Sequence, residues 1–270
     1  MIDFHNHVLP NVDDGPKSIE ESMEMLKHAN IQGITDIVQT VHFQHPKMDG
    51  KNVTYDFLKQ KTQLLQNEIN KNKLNIKLHL AAEVFYLPNL NQIANNPLLT
   101  IGDGKYMLVE FSSNIYPSGY EDVFFKLQSN GVTPIIAHPE RYRFVQNDLS
   151  ILKVWIDRGY IIQLDAGSII GKFGVNIKKV ASKIVKDQLF HLIGSDAHNN
   201  KNRNFCLKEA YEEIKKNKSL EFINYLHKNT LNLLEGKEIE KSANEIKKTS
   251  KFFFEILNRK IFNLIGKIKR

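Results

Sequence analysis

The chain alternates short β-rich runs with amphipathic helical patterns, and this alternation predicts repeated β-α units. A Ser18-Ile-Glu-Glu21 capping box and a terminating Gly33 frame the first helix. The predicted strands cover residues 1–5, 34–40, 75–83, 105–111, 132–138, 160–165 and 189–194. The predicted helices cover about 18–33, 54–72, 119–130, 148–158 and 203–235. Seven such strands fit either a barrel of about seven β-α units or an open doubly wound sheet.

The length and composition are those of a folded chain. Its 270 residues can bury a full core, and 41% hydrophobic with 25% charged residues excludes wholesale disorder. A single cysteine, Cys206, excludes an internal disulfide framework and a cysteine-built metal site. The sequence shows neither a signal-peptide pattern nor an apolar run of about 18 residues. We therefore expect a cytoplasmic protein.

The positive charge is concentrated near the C-terminus. Of the formal net charge of +7, residues 237–270 contribute 10 Lys and Arg against 4 Glu. The other residues hold 27 Lys and Arg against 26 Asp and Glu, so the body is almost neutral. This distribution predicts a domain at 1–236 with a basic extension at 237–270. It also argues against a nucleic-acid partner, which needs a basic surface on the body.

Polar side chains with metal-binding character stand at or just after the ends of six of the seven predicted strands. They are His5, His7, Asp14, His42, Glu83, Glu110, His138, Asp196 and His198. In a parallel barrel these strand ends lie on one face, where the βα loops build active sites. The sequence therefore predicts that the nine side chains converge there.

Two local spacings sharpen this prediction. His5 with His7 and Asp196 with His198 are pairs two residues apart, so in extended backbone both members of a pair point the same way. Imidazole and carboxylate ligands without thiolate suit catalytic Zn, Mn or Fe ions. Nine ligands exceed the needs of one ion and, with bridging carboxylates, predict two or three.

Several motifs resemble one known family along residues 1–199, in the family's order. The matching segments are Asp3-Phe-His-Asn-His7, Val12-Asp-Asp-Gly-Pro16, Thr40-Val-His42, Ala82-Glu83, Leu108-Val-Glu-Phe111, Ile136-Ala-His-Pro-Glu-Arg-Tyr142 and Ser195-Asp-Ala-His-Asn199. They resemble the PHP (polymerase and histidinol phosphatase) superfamily. Within it, the chain is similar to bacterial manganese-dependent protein-tyrosine phosphatases of capsule and exopolysaccharide clusters. The resemblance implies a distorted, TIM-like (β/α)7 barrel holding three metals.

The resemblance also implies a role for each matched residue. A first metal would be held by His5, His7, Glu83 and Asp196. Glu83 would bridge to a second metal, which adds Glu110 and His138. A third metal would use Asp14, His42 and His198. Arg141 and Arg203 match the family's phosphate-binding arginines and are the expected catalytic and substrate-binding residues.

The implied activity is metal-dependent hydrolysis of phosphotyrosine, by in-line attack of a metal-bridging hydroxide without a phosphoenzyme intermediate. The expected substrate is the phosphotyrosine-containing tail of a membrane-associated tyrosine kinase that regulates capsule or exopolysaccharide synthesis. The alternative is a small-molecule phosphomonoesterase such as a histidinol-phosphate phosphatase, followed by a PHP-type nuclease. A cysteine-based phosphatase is excluded, because an arginine should follow the nucleophile by six positions and Glu212 stands there.

The sequence of residues 251–270 predicts a basic amphipathic helix. Its apolar side chains fall within one arc of a helical wheel, with most of its basic residues outside that arc. Three alternatives remain open for it: packing on its own barrel, contact with another subunit of a homo-oligomer, and peripheral attachment to an anionic membrane. Two further residues stay outside the predicted ligand set: Asp165 at the end of strand six, and His45, which we expect near the pocket or on the surface.

Overall fold

The computed structural model describes residues 1–48 and 54–240. Within those ranges the strands are β1 (Ile2–Asn6), β2 (Asp36–Phe43), β3 (Lys77–Phe85), β4 (Tyr106–Glu110), β5 (Thr133–Ile136), β6 (Ile161–Asp165) and β7 (Leu192–Gly194). The helices are α1 (Ile19–Ile31), α2 (Tyr55–Lys71), α3 (Leu90–Ile93), α4 (Tyr120–Ser129), α5 (Arg143–Asn147), α6 (Ser150–Asp157), α7 (Ala166–Ile170), α8 (Val175–Asp187), α9 (Leu207–Lys215) and α10 (Leu220–Leu234).

The strands form a nearly closed parallel barrel in sequence order. Each of the seven described strands pairs in parallel with the next, from β1 to β7. The segment after β7 returns to β1: the Asp196 amide donates to the His5 carbonyl at 2.7 Å, and the His7 amide donates to the Ala197 carbonyl at 2.8 Å. The predicted (β/α)7 barrel is therefore confirmed, and the open doubly wound alternative is wrong.

Local sequence chemistry explains where the elements begin. At α1 the Ser18 hydroxyl accepts from the Glu21 amide at 3.2 Å, as the capping box predicts. The Glu21 carboxylate in turn accepts from the Lys17 amide at 2.8 Å. Ser219 caps α10 in the same way through the Phe222 amide. These caps satisfy helix N–H groups that have no partner within the helix.

The core has two parts. Apolar residues on the outer face of the strands pack against apolar residues of the surrounding helices. Phe124 of α4 and Trp155 of α6 are fully buried in this cluster. A second cluster joins strand residues such as Phe4 and Leu108 to Leu233 and Ile239 from the C-terminal part of the described chain. We assign this second cluster to the barrel interior, because successive side chains of a strand alternate between its two faces.

Residues 237–240 close the barrel end at which the strands begin. The Tyr106 hydroxyl, at the start of β4, donates to the Lys237 carbonyl at 2.6 Å and accepts from the Ile239 amide at 3.2 Å. The amphipathic segment 251–270 lies outside the described residues. The division into a domain at 1–236 and an extension at 237–270 stays a prediction.

Helix α8 has no counterpart among the helices predicted from the sequence, and the predicted 203–235 region is two helices, α9 and α10. The break between those two falls at Asn217, Lys218 and the capping Ser219. None of the helices in the described ranges combines the length and apolar character needed to cross a bilayer.

Candidate metal centre

The barrel register brings the polar strand ends side by side. His42 of β2 pairs with Glu83 of β3, and Phe85 at the end of β3 pairs with Glu110 of β4. His5 belongs to β1, and Asp196 and His198 follow β7, which lies next to β1. Parallel strands end on the same face, so all these side chains meet at one rim of the barrel.

Glu83 stands at the middle of the group and is almost fully buried. Its Oε2 lies 3.3 Å from His5 Nε2, 3.3 Å from His7 Nε2 and 3.2 Å from His42 Nδ1. Its Oε1 lies 2.9 Å from His138 Nε2. One carboxylate thus faces four imidazoles from three parts of the chain.

The predicted ligands alone form three overlapping groups whose donor atoms lie within 4.8 Å of one another, and His45 joins His42 and Glu110 in a fourth. The first holds His5, His7, Glu83 and Asp196; the second holds Glu83, Glu110 and His138; the third holds His7, Asp14, His42 and His198. These are the sets that the resemblance implied, with His7 added to the third. All nine predicted residues are therefore brought together.

Several donor atoms in these groups are buried and, among the described residues, have no hydrogen-bond partner. They are Nε2 of His5 and His7, Nδ1 of His42, and Oε2 of Glu83 and Glu110. Buried polar atoms normally have partners, since an orphaned one costs about 1–3 kcal/mol. Inward-facing nitrogen and carboxylate donors without partners fit divalent cations of the Mn, Zn or Fe type.

In three of the histidines, the nitrogen that points away from the group is held by the protein. His5 Nδ1 lies 3.0 Å from the Gln163 side-chain oxygen, and His7 Nδ1 lies 2.7 Å from Asp13 Oδ2. His198 Nδ1 lies 2.8 Å from the Asp196 carbonyl. Such contacts fix the tautomer and leave Nε2 of each ring for the centre, which is the usual arrangement around protein-bound metals.

The electrostatics of the group also favour a cation. Burial, together with the negative charge of Glu83, raises the pKa of Glu110 to about 8. Burial opposes charge on Glu83 too, but the charge of His5 and the hydrogen bond from His138 hold the pKa of Glu83 well below its usual value. A cation between these carboxylates removes the repulsion that raises the pKa of Glu110.

Asp196 connects this group to the two predicted arginines. Its Oδ1 lies 3.6 Å from His5 Nε2 and 3.4 Å from His7 Nε2. Its Oδ2 receives one hydrogen bond from Arg141 and one from Arg203, each at 2.6 Å. One oxygen thus faces the histidines and the other holds both guanidinium groups.

Two strand-end residues adopt left-handed backbone conformations. His138 has a φ of 32° and Asp196 a φ of 47°. Neither is glycine, so both conformations carry strain, which commonly accumulates at functional sites. Here the turn after β5 and the turn after β7 each aim a predicted ligand into the same group.

An open pocket of about 160 Å³ lies over the group. Both arginines line it, together with Lys47, Ser113 and His45. The His45 side chain is only 10% exposed and its Nε2 lies 3.4 Å from Glu110 Oε2, so His45 lies in the pocket and not on the outer surface. Asp165 lies outside the three groups and instead contacts Arg141 at 2.8 Å.

Sequence reasoning missed two residues that support the centre. Asp13 accepts from the His42 amide at 3.2 Å in addition to holding His7. Gln163 accepts from the His138 amide at 3.2 Å in addition to holding His5. A signal existed for Gln163, a polar residue inside the apolar strand β6, two positions before Asp165.

Cys206 is unsuited to nucleophilic catalysis. It is buried, and burial raises the pKa of its thiol to about 12, so the reactive thiolate is scarce at neutral pH. This supports the exclusion of a cysteine-based phosphatase.

Two named tyrosine-protein phosphatases are similar to this chain over most of its length. It is 39% identical over 218 residues to a putative tyrosine-protein phosphatase CapC of Staphylococcus aureus, covering 80% of this chain and 84% of that protein. It is 34% identical over 258 residues to tyrosine-protein phosphatase YwqE of Bacillus subtilis (strain 168), covering 94% and 99% of the two chains.

A solved structure of similar fold is also described as a tyrosine phosphatase. It comes from crystal structures of Bacillus subtilis YwqE and Streptococcus pneumoniae CpsB, described as unique metal-dependent tyrosine phosphatases. The match has a TM-score of 0.85 at 32% identity and covers 89% of this chain and 97% of that one. The resemblance read from the sequence motifs is thus confirmed. Because the family model described as "Capsular polysaccharide synthesis, CpsB/CapC" matches residues 1–235, the chain belongs to the CpsB/CapC family.

Proposed function

We propose that this chain is a metal-dependent phosphatase that hydrolyses phosphotyrosine in a protein. The observation that carries the proposal is the shared position of Asp196. One of its carboxylate oxygens faces histidine nitrogens of the candidate metal centre, and the other accepts hydrogen bonds from two arginines that line the same pocket. Cation sites beside guanidinium groups suit a phosphate monoester, whose charge must be neutralised before a nucleophile can approach.

We assign the three groups of donors to two or three ions, with manganese as the preferred metal. The first site is His5, His7, Glu83 and Asp196, and the second is Glu83, Glu110 and His138. The third is Asp14, His42 and His198, which lie in one group with His7. Bound there, divalent ions supply a water-derived nucleophile at neutral pH and neutralise phosphoryl charge.

The chain's own residues bind and orient the phosphoryl group in this proposal. Arg141 and Arg203 line the pocket, and Nε of each is buried with no hydrogen-bond partner in the described chain. Planar guanidinium groups donate in pairs to phosphate oxygens. We therefore assign both arginines to the non-bridging oxygens of the substrate.

The proposed substrate is the phosphotyrosine-containing tail of a membrane-associated tyrosine kinase of capsule or exopolysaccharide synthesis. The named tyrosine-protein phosphatases CapC and YwqE support this choice, as does the capsule-synthesis family. We place the enzyme in the cytoplasm, where it meets that tail. Membrane contact through residues 251–270 remains one of the three alternatives given above, and liposome binding by the chain with and without residues 241–270 tests it.

A comparison of substrates tests the function. The full chain, loaded with Mn²⁺, is assayed on a phosphotyrosyl peptide, histidinol phosphate and single-stranded DNA, then again after chelation and after Mn²⁺ is restored. We expect turnover of the phosphopeptide that chelation abolishes and Mn²⁺ restores. Preferential turnover of histidinol phosphate would favour the small-molecule alternative. Phosphopeptide hydrolysis that survives complete chelation would contradict the proposal.

A further inference from the structure

The aromatic ring of Phe173 lies against both arginines of the pocket. The guanidinium carbon of Arg141 is 4.1 Å from the ring centroid, and that of Arg203 is 5.9 Å away. Both distances fall within the range of cation–π attraction, and the closer one is a direct stacking contact. Phe173 comes from the loop between α7 and α8, more than 30 residues after Arg141 in sequence.

The backbone around Phe173 is built to place this ring. Gly171 and Gly174 flank the segment with φ values of 91° and 94°, a conformation that other residues adopt only under strain. The ring also rests on α7 at Gly167, where an added Cβ atom would lie 2.8 Å from Phe173 Cε2. A side chain at position 167 would therefore push the ring from its place.

The ring supplies a restraint that the carboxylates around Arg141 do not. The guanidinium group donates to Asp196 at 2.6 Å and contacts Asp165 at 2.8 Å. A hydrogen bond of a planar guanidinium lies in its plane, so the bond to Asp196 holds one edge, while Asp165 adds only an ion-pair contact. The Phe173 ring, with the guanidinium carbon of Arg141 over its face, adds a contact separate from that hydrogen bond and opposes movement of the group.

We propose that Phe173 is a positioning residue that holds Arg141, and more weakly Arg203, in the orientation that binds the phosphoryl group. The inference rests on the proposed phosphatase function, because it takes the arginines as the phosphate-binding groups. Phe173 acts through the arginines and makes no contact with the reacting atoms. Its aromatic face, and not only its bulk, is what the arrangement requires.

Two substitutions separate the face from the bulk. Phe173→Leu keeps an apolar side chain of similar size, and Phe173→Tyr keeps the ring. In the metal-loaded full chain we expect Phe173→Leu to raise the inhibition constant of inorganic phosphate and the KM for an aryl phosphate about five-fold, the effect of losing one cation–π contact. We expect Phe173→Tyr to restore wild-type values, with metal content and Tm unchanged in both.

A double-mutant cycle shows whether the ring acts through Arg141. In an Arg141→Ala background, Phe173→Leu should change phosphate inhibition much less than it does in the wild type. An equal change in both backgrounds would overturn the proposal, and so would wild-type phosphate inhibition in Phe173→Leu. Equal impairment of Phe173→Leu and Phe173→Tyr would also overturn it, since the ring would then have no special role.

A spectroscopic readout keeps the inference separate from the function. If the wild-type chain hydrolyses no phosphomonoester, the proposed function fails, but the ring contact is still observable in the ¹⁵N-labelled protein. We expect the Arg141 Nε–Hε resonance to shift in Phe173→Leu and in Gly167→Ala, which displaces the ring without altering it, and to stay close to wild type in Phe173→Tyr. An Arg141 resonance that is the same in the wild type, Phe173→Leu and Gly167→Ala would refute the inference.

Discussion

At the scale of single residues, the candidate metal centre depends on which partner each of the two ring nitrogens of a histidine contacts. In His5 and His7, Nδ1 contacts a protein oxygen and Nε2 lies next to Glu83. His138 contributes Nε2 to the other oxygen of Glu83. Removing a ligand therefore changes ion binding, while removing an outer oxygen changes the orientation and basicity of a ligand.

We expect His138→Ala to lower phosphatase activity at least about 100-fold and to lower the metal content of the purified protein, because an imidazole ligand is lost. Activity assays and elemental analysis measure the two effects. His79→Ala is the matched control: it also removes a strand histidine, but His79 pairs with Asp36 near the opposite end of β3. Full activity in His138→Ala would contradict the assignment of this residue.

Asp13→Asn tests an outer contact that the sequence did not reveal. The neutral amide still accepts a hydrogen bond but no longer supports His7 with a negative charge, so we expect metal affinity to fall about 10- to 100-fold. Activity should recover when excess Mn²⁺ is added. Titration of the metal-free protein measures the affinity, and an unchanged affinity would show that His7 does not need Asp13.

At the scale of elements, the segment that follows α10 makes a close backbone contact with the loop before β4. Gly236 ends α10 with a φ of 63°, and a Cβ added there would lie 2.6 Å from the Gly102 carbonyl oxygen. Lys105 next to β4 also donates to the Gly236 carbonyl at 2.5 Å. This contact joins the last described helix to the barrel end opposite the site.

Gly236→Ala should therefore destabilise the fold more than backbone strain alone predicts. We expect its free energy of unfolding to fall by about 1–3 kcal/mol more than that of Gly104→Ala. Gly104 also has a positive φ of 86°, but among the described residues nothing lies within 4 Å of its added Cβ. Urea denaturation measures both variants. Equal losses would show that the approach to Gly102 adds nothing.

Comparing the predicted with the observed elements shows which features of the fold the sequence could predict. The strand-end rule predicted the nine residues that the barrel brings together, because residue type and strand period are local properties; their role as metal ligands stays a prediction. It did not place α8 or separate α9 from α10, and the lengths of β5 and β7 were overestimated. The left-handed turns at His138 and Asp196 and the contact of Phe173 with Arg141 arise from packing between distant segments, which no local pattern encodes.

At the scale of the whole molecule, a buried histidine away from the site links folding to pH. His191, at the start of β7, accepts from the Ile162 amide through Nδ1 at 3.0 Å and is 2% exposed. Burial lowers its pKa to about 4 from an ordinary value of 6.5. Between these values the unfolded chain binds a proton that the folded chain does not, so this histidine makes stability fall as the pH is lowered from 6.5 to 4.

His191→Asn should remove that contribution while keeping an acceptor for the Ile162 amide. We expect the wild type to lose about 3 kcal/mol more than the variant between pH 7 and pH 4. Unfolding free energies of both proteins across this range, under one metal condition, give the difference and cancel the titration of the site histidines. Parallel pH profiles would show that His191 is protonated equally easily in both states.

The two-sided carboxylate of Asp196 has a consequence for any redesign of this protein. Under the proposed function, one oxygen of Asp196 binds a cation and the other holds the phosphate-binding arginines, so we expect a substitution at position 196 to alter metal binding and phosphate binding together. An engineer who wants a different metal preference has more freedom at Glu110, which contacts histidines but, in the described chain, no arginine.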